Sequence, residues 1–185
     1  MTQRGMTLVE VLIATTLLVG GGTALMLSMQ QSVVHAEYLS QFQVAMNAAQ
    51  GELEELSSVP IDMLWAGNAY LAARGTGMCV GIGEDSNCNG LLDAGEDANG
   101  NGALDSPIPN GRLGIWIRQP LDDAIRNPGD PELLDIHVAA CWQHRGRPIG
   151  EDQNCNGQMD AGEDVNGDGW MTSPAMVSLR IGRRD

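Results

Sequence analysis

Apolar and polar residues change rhythm twice along this chain. Residues 11–29 form an uncharged, mostly apolar run of nineteen, and about 18 or more such residues in a row read as membrane-spanning. From Val34 the apolar positions thin to a stripe, Val34, Tyr38, Phe42, Ala45, Ala49, Leu53 and Leu56, stepping by 4, 4, 3, 4, 4 and 3. That spacing is one face of an α-helix, and Pro60 stops it. Together the two stretches predict one helix from Thr7 to Ser58, on the order of 75 Å long at about 1.5 Å per residue. Gly20, Gly21 and Gly22 lie in its apolar half, each costing roughly 1 kcal/mol of helix propensity relative to alanine. They leave open close helix packing or local melting.

Strict alternation takes over later. Leu113, Ile115 and Ile117 share one face of a first run. Leu134, Ile136, Val138, Ala140 and Trp142 share one face of a second, and Val177, Leu179 and Ile181 of a third. Three short antiparallel strands covered by the long helix make an α+β domain. Residues 59–185 form this globular part, a usual size for one domain with its own core. Gln119–Glu132, rich in Pro, Asp, Asn and Gly, reads as an exposed loop without chemistry.

One carboxylate, Glu10, stands at the head of the apolar run, where an ionisable group is costly and is a functional hypothesis by default. The leader Met1-Thr2-Gln3-Arg4 ends at Gly5. A cut after Gly5 would free an amino group on Met6, within helical reach of Glu10. A secretory signal has the opposite order, with the apolar core before the cut. The segment Gly5-Met6-Thr7-Leu8-Val9-Glu10-Val11-Leu12 resembles the class III signal of type IV pilins and pseudopilins. The resemblance covers residues 5–58. It implies that Gly5 is the cleavage glycine for a prepilin peptidase and Met6 the N-methylated new terminus. Glu10 is then the assembly carboxylate that neutralises a neighbouring subunit's ammonium. It implies residues 1–5 as leader, 6–29 as the membrane and filament-core half of the helix, and 30–58 as its amphipathic half. Major pilins often carry a proline in the second half of the apolar segment; none occurs here, which points to a minor pilin or pseudopilin.

Charge adds a second theme. All ten basic residues are arginines, and 24 acids give a net charge of −14, so no basic patch for nucleic acid or an anionic membrane surface is expected. Half of the acids lie in segments 83–105 and 150–172, which hold no basic residue. These segments belong to an internal repeat: residues 83–107 and 150–174 are identical at 17 of 25 positions. Within each copy Gly-Glu-Asp-x-Asn-x-Asn/Asp-Gly recurs after twelve residues, giving four loops.

The first loop, with Asp85, Asn87, Asn89, the Leu91 carbonyl, Asp93 and Glu96, matches the EF-hand calcium loop at every ligand position. The third, with Asp152, Asn154, Asn156, the Gln158 carbonyl, Asp160 and Glu163, does so equally. Calcium takes six to eight oxygen ligands, and alternate residues of a tight loop can aim oxygens inward. The second loop offers Asp97, Asn99, Asn101, the Ala103 carbonyl and Asp105, with Ile108 at position twelve. The fourth offers Asp164, Asn166, Asp168 and the Trp170 carbonyl, with Thr172 at nine and Ala175 at twelve. These two are expected to borrow Glu84 and Glu151, or water. Two to four ions per chain are expected, the first and third loops filling more readily. Asparagines at positions three and five lower the affinity, toward the millimolar range of extracellular modules. No helical pattern flanks the loops, so the back-to-back arrangement is more similar to thrombospondin type 3 repeats than to helix-loop-helix EF-hands.

Four cysteines fit an oxidising compartment. Repeat symmetry favours Cys79 with Cys88 and Cys141 with Cys155, although four cysteines allow three pairings. Zinc is disfavoured, since His35, His137 and His144 do not cluster with cysteines and no C-x-x-C pair exists. No catalytic motif is present, so no enzyme is expected. The resemblance implies a structural minor pilin that primes, tips or mediates adhesion of a type IV pilus, with calcium-stabilised loops. Its partners would be other pilins in a helical filament, and it would sit in the inner membrane as a single-pass protein before reaching an extracellular pilus. A minor pseudopilin of a type II secretion filament in the periplasm is one alternative. A non-polymerising membrane-tethered calcium-binding module is another.

Overall fold

A computed structural model describes residues 7–65, 78–85, 88, 89 and 91–183. The chain divides into two compact units, one up to Ser40 and one from Gln41 onward. Helix α1 runs Leu8–Ser58 as the apolar stripe predicts, and it passes through Gly20–Gly22 without a break. Residues 8–33 of α1 are all exposed, leucine and valine included. This is the one described helix long and apolar enough to cross a membrane, with a mean hydropathy of 1.8 over its membrane-length window.

In the second unit α1 turns one face inward, burying Gln41, Ala45, Ala49, Glu52 and Leu56. The small side chains of Ala45 and Ala49, both fully buried, let the helix backbone approach the sheet. The buried Gln41 pairs through its Oε1 with His144 Nδ1 at 2.9 Å, at the end of a strand, so a polar pair caps one end of this contact. A short helix α2, Ile61–Leu64, follows Pro60.

Among the described residues the sheet is antiparallel and has five strands: β1 Met78–Gly81, β2 Arg112–Arg118, β3 Leu133–His144, β4 Arg147–Ile149 and β5 Met176–Gly182. Strand β3 is its centre. It pairs with β2 from Arg112↔Cys141 to Arg118↔Asp135 and with β5 from Leu133↔Gly182 to Ala139↔Met176. Its last three residues form a hairpin with β4, while β1 lies outside β2. On β3 the predicted inward residues Leu134, Ile136, Val138, Ala140 and Trp142 are all fully buried, but the alternation stops at Val138, because Ala139 and Cys141 between them are buried as well. On β5 it holds only partly: Leu179 remains 38% exposed, and Val177 and Ile181 are half-buried. Strands β1 and β4 are too short, at four and three residues, to give a sequence rhythm.

The expectation of an exposed loop at Gln119–Glu132 needs correction. Leu121–Arg126 forms helix α3, with Pro120 before it, Asp122 and Asp123 in its first turn and Arg126 in its last. Those charges suit the helix dipole. Asp123 is buried rather than solvated and collects four donors: Gln119 Nε2 (2.8 Å), Asn127 Nδ2 (3.0 Å) and the amides of Glu132 (3.1 Å) and Leu133 (3.4 Å). Burial alone would push its pKa up, but the hydrogen bonds together hold it below the ordinary aspartate value.

Candidate functional site

The two acidic repeats are inserted between strands. The first leaves β1 and returns to β2, the second leaves β4 and returns to β5, and neither contains a helix among the described residues. What orders them is a set of side-chain oxygens accepting backbone amides. In the third loop Asp152 Oδ1 accepts from Asn156 N (3.1 Å) and Oδ2 from Gly157 N (2.8 Å). Asn154 Oδ1 accepts from Asn156 N (2.9 Å), and Asn156 Oδ1 from Gln158 N (2.7 Å). The same frame recurs at positions one, three and five of the second loop, in Asp97, Asn99 and Asn101. In the fourth loop it recurs in Asp164, Asn166 and Asp168. In the first, Asp85 Oδ1 accepts from Asn89 N and Asn89 Oδ1 from Leu91 N; Asn87 lies outside the described residues. The frame needs a left-handed turn at position four, reached by Gly100 (φ 72°) and Gly167 (φ 73°), and by Cys88 (φ 57°) and Cys155 (φ 53°).

Position twelve is equally regular. Glu163 Oε1 accepts from Gln153 N (2.9 Å), the second residue of its loop, and Oε2 from Asp160 N (2.8 Å), the ninth. Glu96 Oε2 likewise accepts from Asp93 N (3.0 Å). In the second loop, whose twelfth residue is the buried Ile108, this place is taken by Glu84, accepting from Ala98 N (3.1 Å) and Asp105 N (3.0 Å). In the fourth, Glu151 accepts from Thr172 N (2.9 Å), the ninth residue. The glutamate that precedes the first loop of each repeat therefore closes the second.

Electrostatics differ between sites. Burial raises the pKa of Asp152, with the charge of Glu163 adding to it and the amides of Gly157 and Asn156 opposing. Burial also works against the charge of Glu151, but hydrogen bonds from Thr172, Asn166 and Val165 outweigh it and hold the pKa below the ordinary glutamate value. The repeats hold no basic residue of their own, yet Arg112 on β2 reaches Asp85 at 3.6 Å. The fourth loop meets the sheet through Trp170, whose ring stacks on His137 at 3.6 Å and lies under the Arg118 guanidinium, also at 3.6 Å. Periodicity marks Trp170 only as a backbone ligand, so this side-chain anchor has no signal in the sequence.

Some predicted ligands are brought together and some are not. Asn154 Nδ2 and Asn156 Nδ2 donate to Asp160 Oδ2, and Asn99 Nδ2 and Asn101 Nδ2 to Asp105 Oδ2. Asn89 Nδ2 donates to Asp93 Oδ2 in the same way. Among the described residues, however, no three His, Cys, Asp or Glu side chains gather as a metal-holding group. In these three loops asparagine amides hydrogen-bond the position-nine carboxylate instead.

Cys141 is disulfide-bonded to Cys155, and Cys88 is also in a disulfide; the side chain of Cys79 lies outside the described part. At the other end of the chain, Gly5 and Met6 lie outside the described residues. Glu10 has a local partner that its place in an apolar run does not reveal. Its carboxylate lies 3.5 Å from Thr7 N, while its own amide donates to Thr7 Oγ1 at 3.3 Å. That reciprocal arrangement is a capping box, for which Thr7-x-x-Glu10 is the sequence signature. No protein-family model, curated protein or solved structure matches the chain.

Proposed function

We propose that this chain is a structural subunit of the type IV pilin class, a minor pilin that primes, tips or mediates adhesion of a pilus. The observation that carries the reading is α1: its first 26 residues present apolar side chains on every side, with one carboxylate in the first turn. A helix apolar all round belongs in lipid or among its own kind. Removal of the leader after Gly5 by prepilin peptidase would place the Met6 ammonium at that end of the helix, and Glu10 of one subunit would pair with it in the next. The chain would wait in the inner membrane and then pack with other pilins into a filament. We propose no enzymatic role.

The four loops are proposed calcium sites that stiffen the exported domain. Their common amide frame supports this, because it fixes oxygens at alternate positions as a hard cation requires. The lending of Glu84 and Glu151 supports four ions rather than two, since each loop then has an acid in the twelfth-position place. A cation would also relieve the cost of keeping Asp152 ionised while buried. Pairing of Cys79 with Cys88, matching Cys141 with Cys155, belongs to the same proposal.

A pseudopilin of a type II secretion filament shares every feature of α1, and the lack of proline in the second half of its apolar segment fits it as well as a minor pilin, which makes it the second reading. The capping box favours a third, a tethered calcium-binding module that never polymerises, because it gives Glu10 a use in any membrane helix. Glu10→Gln separates the two polymerising readings from the tethered module. Glutamine keeps the capping box, which accepts Glu or Gln at that position, but has no charge. The proposal expects the variant to insert in the membrane and to be lost from sheared filaments. Equal recovery of variant and wild type would refute it.

A further inference from the structure

We propose that the Cys141–Cys155 disulfide is a redox lock on the backbone of the third loop, independent of whether the loop holds metal. All four loops make a left-handed turn at position four, and in the second, third and fourth the next two amides reach the carboxylate of position one. Two of them make it with glycine, Gly100 and Gly167, for which the left-handed region carries no steric cost. The third makes it with Cys155, at φ 53°. A residue with a Cβ is disfavoured there, by an amount that corresponds to roughly 5- to 30-fold in an equilibrium. Nothing in the loop's own sequence offsets that penalty, since the residues around Cys155 match those around the two glycines: Asp at one, Asn at three, Asn or Asp at five and Gly at six.

What Cys155 has in addition is a covalent tie to β3. Cys141 sits in the paired part of that strand, opposite Arg112 of β2, with its Cα 5.4 Å from that of Cys155. Both cysteines are buried. The central strand therefore fixes where the Cys155 Cβ lies, and with it the sign of φ. Cys88, left-handed at the same position and also disulfide-bonded, extends the rule to the first loop. Reduction would break the lock. A dithiol reductant attacks one sulfur through its thiolate, and its second thiol then releases the chain. The S–S bond becomes two thiols as the reductant becomes a disulfide. Freed of the tie, position four can leave the left-handed region, and the amides of Asn156 and Gly157 lose Asp152. The repeats would then set only in a compartment that oxidises thiols.

The test is hydrogen exchange on the full-length chain in detergent micelles with a chelator present, comparing peptides that cover the third and fourth loops. Reduction with dithiothreitol is expected to speed exchange in the third loop by about 5- to 30-fold, leaving the fourth, built on Gly167, within about twofold. Two variants isolate the turn from the tether, because both lack the disulfide. Cys141→Ala/Cys155→Gly should protect the third loop about 5- to 30-fold better than Cys141→Ala/Cys155→Ala. Unchanged exchange on reduction overturns the proposal, as do equal rates in the two variants. If the alanine variant does not fold, the reduced wild-type chain decides alone.

Discussion

Replacing Glu84 by glutamine tests the closure of the second loop most directly. Glu84 precedes the first loop, yet its two oxygens accept from Ala98 N at 3.1 Å and Asp105 N at 3.0 Å in the second. Glutamine turns one of those oxygens into an NH₂ facing an N–H donor, so one hydrogen bond is lost and the charge with it. A hydrogen bond to a charged group contributes about 1.5–3 kcal/mol, and this exposed position should fall at the low end. Bound calcium contributes more: at a concentration 100 times Kd, one site stabilises the fold by about 2.7 kcal/mol through mass action. For a domain of this size each kcal/mol moves Tm by about 2–4 °C, so one lost site should remove about 5–10 °C of the calcium-dependent rise. Thermal melts of the full-length chain in detergent, with chelator and with millimolar calcium, read the shift, and titration calorimetry reads the stoichiometry. Four ions are expected for wild type, three for Glu84→Gln or Glu151→Gln, and two for the pair. An unchanged stoichiometry with an unchanged calcium shift would refute the closure. Absence of calcium binding by the wild type would remove the metal proposal itself.

Other outcomes follow from separate parts of the molecule. Intact-mass measurement of protein from its native membrane should show a chain beginning at Met6, methylated; retention of residues 1–5 would contradict the pilin reading. Ala49 is fully buried at the helix–sheet contact, so Ala49→Leu should cost about 1–3 kcal/mol in denaturant unfolding, whereas the same change at exposed Gly51 should not. Asp123 has a pKa below its ordinary 3.8, so its contribution to stability is complete above that value and is lost as pH falls through the folded-state value. Asp123→Asn should therefore be less stable than wild type at pH 7, with the gap closing in acid, and a pH-independent gap would count against the assignment.

How much of this was legible in the sequence depends on whether a residue's role is periodic or particular. The helix, the three long strands and the inward residues of β3 were legible because each repeats an interval over several residues, as Leu134 to Trp142 do, whereas the inward face assigned to β5 holds only partly. Helix α3 was not, because six residues are too few for a rhythm and its stability comes from Asp123 reaching donors up to ten residues away. The four-loop repeat was legible as a repeat, with its recurring positions one, three and five and with Glu84 and Glu151 set apart from the first loops they precede. That they take the position-twelve place, amide for amide, was not, since Glu84 and Asp105 lie 21 residues apart. Arg112 was invisible for the same reason: charge counted along the segment misses a partner delivered by the neighbouring strand.

The two copies of the repeat show which of these layers is autonomous. In the first copy the flanking strands β1 and β2 pair with each other; in the second, β4 and β5 each pair with β3 instead. Their sheet environments differ, yet the internal contacts coincide. Glu84 N donates to Asp105 O as Glu151 N does to Thr172 O, both at 2.9 Å, and Glu96 N to Asp93 O as Glu163 N to Asp160 O, both at 3.1 Å. The internal contacts of a repeat thus do not depend on how its flanking strands pair, while the sheet supplies entry, exit and the cysteine tie proposed to hold position four of the third loop. Events in the loops and events along the exposed apolar half of α1 should therefore be separable. Glu84→Gln should leave filament incorporation intact while lowering the calcium-dependent Tm, and Glu10→Gln should do the reverse. A Glu10→Gln chain with an altered calcium titration would show that the two are coupled and that this division is wrong.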